Sequence, residues 1–247
     1  MHSVDLTAAS LRRAYPKRIG ETLSTRCPLR GIEVGHGLFR VTSTLPRKLK
    51  TMTTQTMKHP EIWLIRHGET EWSLSGQHTG RTDIPLTDNG RLQAEALKPV
   101  LALQPFDLVL CSPLTRAQDT CRLAGLGGQM ELEPRLLEWN YGIYEGRKTP
   151  DIREETPGWS VWDSPIPEGE DVTAIQQRAE SLIDRLLQAE GRIALFAHAH
   201  ILRVLAGCWM ADDARLGAHL VLGTASVSKL GFDRDERAIT QWNALHS

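Results

Sequence analysis

A chain of 247 residues, 40% hydrophobic and 24% charged, matches one globular domain of ordinary size or one domain plus an extension. Its longest apolar runs are strand-length and broken by charge or glycine, which excludes a membrane-spanning helix. With a formal net charge of -1 at pH 7, the expected partner is a small molecule, neither nucleic acid nor a membrane, and self-association as a homodimer stays open.

That small net charge hides an asymmetry. Residues 1–57 hold ten Lys or Arg against three Asp or Glu, whereas residues 58–247 hold nineteen against twenty-seven. The first part, basic and rich in Ser and Thr without a sustained apolar period, is expected to contain little packed structure. Three readings stay open for it: a disordered arm, an organellar targeting segment, or a gene start set too far upstream, since Met57 directly precedes "KHPEIWLIRHG". A functional domain over 58–247 is expected in the cytoplasm unless the leader directs import. Cys27, Cys111, Cys121 and Cys208 have no metal-ligand spacing, which points to a reducing compartment and against a disulfide scaffold.

After Pro60 short apolar runs alternate with helical patterns. Ile62 to Ile65, Leu108 to Cys111 and Ile193 to Ala197 are apolar throughout and bounded by polar residues or glycine, the pattern of strands buried on both faces. Helices are expected from a cap at Asp88 or Asn89 to Pro99, from Thr115 to Ala124, from a cap at Asp171 or Thr173 through Leu186, and from His200 to Met210. Antiparallel strands are expected over Ser226–Phe232 and Ala238–Trp242. The fold class is therefore α/β, a three-layer α/β/α sandwich on a mainly parallel mixed sheet.

Ligands of such sheets bind beyond the carboxyl ends of the strands. Here those ends read Arg66-His67-Gly68, Cys111-Ser112-Pro113-Leu114-Thr115-Arg116 and Ala197-His198-Ala199-His200, and "LEWNYG" adds the lone carboxylate of Glu138. Guanidinium forks match phosphate oxygens, so a cationic nest with one proton donor suits phosphoryl transfer. Gly68 would let the backbone turn close to a phosphate.

The ordered motifs "LIRHGETEW", "TGRTDIPLTDNG", "SPLTRAQDT", "EWNYGIYEG" and "FAHAHILR" resemble the histidine phosphatase, or phosphoglycerate mutase-like, superfamily. Its bacterial acid phosphatases and fungal sedoheptulose-bisphosphatases are most similar in pattern. The resemblance implies that His67 is the nucleophile and that Arg66, Arg116 and His198 hold the phosphoryl oxygens. It implies that Glu138 protonates the leaving alcohol and later activates water. Substrate contacts carry over to Ser73, Thr79 and Gly80; Ala199, through its backbone N–H, is a further candidate, His200 either faces the substrate or caps the helix after it, and neither metal nor cofactor is expected. Ser73 stands where the mutases have asparagine, and Ala199 where the motif usually has glycine, whose φ/ψ range an alanine would narrow.

Only thirty-one residues separate Glu138 from Glu170, a short cap that favours hydrolysis over transfer to a second substrate. A phosphomonoesterase acting on sugar phosphates or other small esters is the expected activity. A cofactor-dependent phosphoglycerate mutase and a catalytically silent phospholigand-binding relative are the alternatives. His78 and Arg81 are read as solvated loop residues before contacts to a substrate anion, Trp159 and Trp162 as packing anchors before a lid, Glu170 as either a substrate-steering group or a helix N-terminal charge, and Cys111 as core.

Overall fold

The computed structural model describes residues 59–246, so the expectations for residues 1–57, Cys27 included, lie outside the described residues. The three strands expected at the site form as β1 (Glu61–Arg66), β2 (Leu108–Cys111) and, after the short β3 (Met130–Leu132), β4 (Arg192–Ala197). β3 was not legible, because Glu131 and Leu132 are exposed and three residues show no period. The hairpin of β5 (Val227–Asp233) and β6 (Glu236–Ala244) completes a sheet of order β3-β2-β4-β1-β5-β6. The first four strands run parallel, and β5 lies antiparallel to both its neighbours.

The apolar runs are continuous because alternate residues enter two different cores. Ile62, Leu64, Leu110, Ile193 and Leu195 face one layer, while Trp63, Ile65, Val109, Ala194 and Phe196 face the other. The helices among the described residues are α1 (Glu71–Ser75), α2 (Asp88–Ala96), α3 (Lys98–Ala102), α4 (Thr115–Leu123), α5 (Thr149–Glu155), α6 (Val172–Leu187) and α7 (Ala199–Ala211). α5, α6 and α7 supply the first layer, and α3 and α4 the second. None is long and apolar enough to cross a membrane.

Local chemistry explains the boundaries. In α6 the residues Ile175, Ala179, Leu182, Ile183 and Leu186 form one buried stripe, and Asp171 caps the helix by accepting from the Ala174 amide at 2.8 Å. The helix expected from residue 88 to Pro99 is instead two: α2 stops at Ala96 and α3 starts at Lys98. Pro99 has no N–H for an unbroken helix, and its ring would press on the carbonyl four residues back. The cap of α2 is Thr87, whose Oγ1 accepts from the Gly90 amide at 2.9 Å, not Asp88 or Asn89. Trp159 and Trp162 lie in turns beyond α5 and are buried, as packing anchors should be.

Gly68 has a different reason from the one its motif suggests. A Cβ there would stand 2.2 Å from the Gly90 carbonyl oxygen, and one on Gly90 would stand 2.1 Å from that of Glu69. Two glycines thus let α2 seat directly on the turn after β1. Gly90→Ala should therefore lower stability by about 1–3 kcal/mol despite alanine's better helix propensity. Urea denaturation with an unchanged m-value reads this, and an unchanged midpoint would mean that α2 shifts away at no cost.

Candidate active site

Because β1, β4 and β2 are parallel neighbours, their carboxyl ends share one edge, with Arg66 beside Ala197 and Cys111 beside Phe196. β4 is central, so His198 follows it between His67 and Ser112. The His67 and His198 rings stand 5.1 Å apart, and His198 Nε2 lies 2.7 Å from Ser112 Oγ. A cavity of about 170 Å³ opens here, small beside the ~300–1,000 Å³ of pockets that engulf drug-sized ligands. Arg66, His67, Ser73, Thr79, Glu138, Ala199 and His200 are among its lining residues, and Arg116, His198 and Gly80 are not.

His67 is nearly fully buried, and its Nδ1–H donates to the Gly68 carbonyl at 2.7 Å. In the neutral ring that leaves Nε2 with the lone pair. Burial, then Arg116 and Arg66, hold its pKa well below 6.5, against the Gly68 hydrogen bond. Arg66 donates to the Leu222 carbonyl at 2.6 Å, while its buried Nε has no partner. Burial lowers this guanidinium to about 10 against the opposing pull of Glu138, so it stays charged at neutral pH.

Arg116 and His198 are both wholly buried, one layer behind the cavity wall. The guanidinium donates to the carbonyls of Thr79, Gly80 and Thr82 at 3.0 to 3.2 Å, and its Nε donates to His198 Nδ1 at 3.1 Å. That last bond sets the tautomer, so His198 Nε2–H donates to Ser112. Loop carbonyls and Ser112 thus engage most of the donors that Arg116 and His198 would turn to phosphoryl oxygens, and Asp83 lies 4.0 Å from Arg116 Nη1. Gly80 is likewise engaged elsewhere: its amide and that of Thr82 donate to Glu145 Oε1 at 2.8 and 3.0 Å.

Glu138 is held by the backbone. Its Oε1 accepts from the amides of Trp139 and Ile201 at 2.9 and 2.8 Å, and its Oε2 from that of His200 at 2.9 Å. α7 has no side-chain cap of its own, so this carboxylate from a distant turn caps it and meets the positive end of its dipole. Ala199, the first residue of the helix, lines the cavity. Ala199 has no positive φ, so glycine's wider range is not needed here. Ser73 lines the cavity, but its hydroxyl donates to the Thr70 carbonyl at 2.9 Å and accepts from the Thr70 amide at 2.8 Å.

The rest of the lining includes Tyr141 and Gln77, which sequence reasoning did not single out, beside His78 and His200, which it did. His78, read as a solvated loop residue, lines the cavity with Tyr141 and Gln77. It packs 4.7 Å from Tyr141 and 5.4 Å from Trp159, and burial lowers its pKa to about 4. His200 shares a 2.7 Å hydrogen bond with the Tyr141 hydroxyl and packs on Trp162. Arg81 instead faces Glu170, which accepts from the Asn140 amide and pairs with Arg178; Asp171, not Glu170, caps α6. Tyr141 and Glu145 lie inside the motif "EWNYGIYEG" and Ser112 inside "SPLTR", so the motifs were the available signal.

Four histidines, the buried 67 and 198 and the half-buried 78 and 200, have folded pKa values below the unfolded 6.5. The unfolded chain therefore binds more protons in this window, so the stability is fully present above pH 6.5 and is lost as pH falls. Going from pH 7 to 5 should cost on the order of 2 kcal/mol for each that stays neutral. Urea titrations at the two pH values measure it, and equal stabilities would contradict it.

The family model of the histidine phosphatase superfamily (branch 1) matches residues 62–245. An acid phosphatase of Mycobacterium tuberculosis is 40% identical over 187 residues, covering 74% of this chain and 92% of that protein. An adenosylcobalamin/alpha-ribazole phosphatase of Escherichia coli is 36% identical over 180 residues, covering 62% and 89%. Among solved structures, an open reading frame product of Mycobacterium tuberculosis superposes with a TM-score of 0.71 at 36% identity, covering 76% of this chain and 99% of that one.

Proposed function

The chain belongs to branch 1 of the histidine phosphatase superfamily and is a phosphatase of small phosphate esters, and we propose that it works through a phosphohistidine on His67. The observation that carries this reading is the buried, neutral His67 ring, with Nδ1–H on the Gly68 carbonyl and Nε2 free, beside the charged Arg66 with its unpartnered Nε. A neutral imidazole is a nucleophile, and an unmatched guanidinium donor is what a phosphoryl oxygen requires.

In the first step His67 Nε2 attacks phosphorus, the ester P–O bond breaks, and Glu138 gives its proton to the departing alkoxide. In the second, Glu138 takes a proton from water, whose oxygen attacks the phosphohistidine and releases inorganic phosphate and neutral His67. Arg66 and the Ala199 amide contact the phosphoryl oxygens. Arg116 acts from behind, adding positive field in a dry site, and holds His198 and the 79–82 loop in register. The residues themselves supply the charge that phosphoryl transfer needs, so no metal is invoked. The match over 62–245 supports a catalytic domain at 58–247, proposed to act in the cytoplasm.

Sugar phosphates are the favoured esters, while a mutase would need a second anion site and a silent relative would not need His67. Rapid quench of enzyme with radiolabelled p-nitrophenyl phosphate should trap an acid-labile, base-stable phosphoenzyme, unaffected by chelator. His67→Ala should abolish the label and lower kcat/KM by roughly 10³-fold or more, while Glu138→Gln should cost about 10²–10⁴-fold on alkyl phosphates and far less on p-nitrophenyl phosphate, whose leaving group needs no proton. Label that persists in His67→Ala, or activity lost to chelator, would overturn the mechanism.

A further inference from the structure

The phosphate end of the cavity and its mouth differ in charge. Resting on the phosphatase reading, that difference speaks to what the rest of the substrate is. At the mouth His78, Tyr141 and His200 form a wall of rings. His200 is clamped by the Tyr141 hydroxyl at Nδ1 and backed by Trp139 and Trp162, with ring centroids at 6.2 and 5.4 Å. His78 is held by Thr149 Oγ1 at 3.2 Å from Nε2 and backed by Trp159. Both imidazoles are neutral at pH 7, His78 because burial outweighs the opposing charge of Glu145, His200 because burial is joined by Arg203 and His78.

The nearby arginines are committed elsewhere. Arg203 donates to the carbonyls of Gly217 and Ala218, lies 4.8 Å over the Trp162 ring and is not among the residues that line the cavity. Arg81 turns to Glu170 at 3.6 Å. Lys148, bridged to Gln77 along the backbone, does not line the cavity. Among the described residues, Arg66 is the one Lys or Arg side chain in the lining. A second anionic group on the substrate would therefore leave water for a ring-lined wall in which, among the described residues, no Lys or Arg side chain stands to pair with it. A hydroxyl would meet neutral imidazole donors and acceptors at no such cost.

We propose that the physiological substrate carries a single anionic group, the phosphoryl itself, on an uncharged hydroxylated leaving group seated against the His78–Tyr141–His200 wall. Bisphosphates and phosphorylated carboxylic acids are then poor substrates, and transfer chemistry on phosphoglycerates is excluded by charge.

Matched pairs test this on the full chain. Values of kcat/KM for fructose 6-phosphate against fructose 1,6-bisphosphate, and for glycerol 3-phosphate against 3-phosphoglycerate, should favour the singly anionic member by about tenfold or more. Equal or reversed preference in both pairs would overturn the inference. Gln77→Arg, which adds a cation at the mouth, should shift both ratios about tenfold toward the second anion; unshifted ratios in a variant still active on p-nitrophenyl phosphate would also overturn it. Failure to hydrolyse p-nitrophenyl phosphate at all would instead remove the phosphatase reading on which it rests.

Discussion

The buried guanidinium of Arg116 is the interaction on which this site depends. It extends from α4 and is bonded to the end of β4 through His198 and to the loop after α1 through three carbonyls. Its own carbonyl accepts from Thr120 Oγ1, which in turn accepts from the Gly68 amide, so the turn after β1 joins the same network. A charge fully out of water is tolerable only when its donors are met, and here carbonyl oxygens and one imidazole meet four of the five, with the Asp83 carboxylate 4.0 Å from Nη1. Removing it would leave three carbonyls and a histidine nitrogen unmatched in the interior.

The loop it grips is held from the other side as well. Glu145 accepts two of its amides, and Asp83 accepts the Thr115 amide and hydroxyl at the start of α4. Donors and acceptors of one short segment are thus divided between a cation below and carboxylates above. That arrangement lets Thr79 form the cavity wall without regular secondary structure around it. It also places the buried Arg116 charge behind the cavity wall, where the proposed mechanism uses it to stabilise the phosphoryl group.

Two departures from the family pattern become intelligible at this level. Ala199 is the first helical residue of α7, a position that any residue other than proline can take with its amide turned outward, so the missing glycine removes no required freedom. Ser73 forms a reciprocal capping box with Thr70 on the five-residue α1, which gives its hydroxyl a structural partner that a longer amide would meet differently. Glycine is instead demanded at residues 68 and 90, where two backbones touch.

The sequence by itself determined the three apolar strands and the helix that starts at Asp171 or Thr173 and runs through Leu186, because hydrophobic period is a local property. It offered Arg66, His67, Arg116, Glu138 and His198 as groups that would meet at one sheet edge only if the strands were parallel neighbours. It could not tell which of those five would line the cavity and which would stand behind it, nor separate α2 from α3 or reveal β3. It misjudged His78 because loop position suggests solvent, whereas Tyr141 and Trp159, distant in the chain, bury it. Only the tertiary structure decided that Glu138 caps α7, that Arg116 faces carbonyls, and that Tyr141 meets His200. Each of those outcomes depends on which hydrogen-bond partners meet across 30 to 80 residues of chain, and partnership at that distance is set by packing, not by any pattern a short window contains.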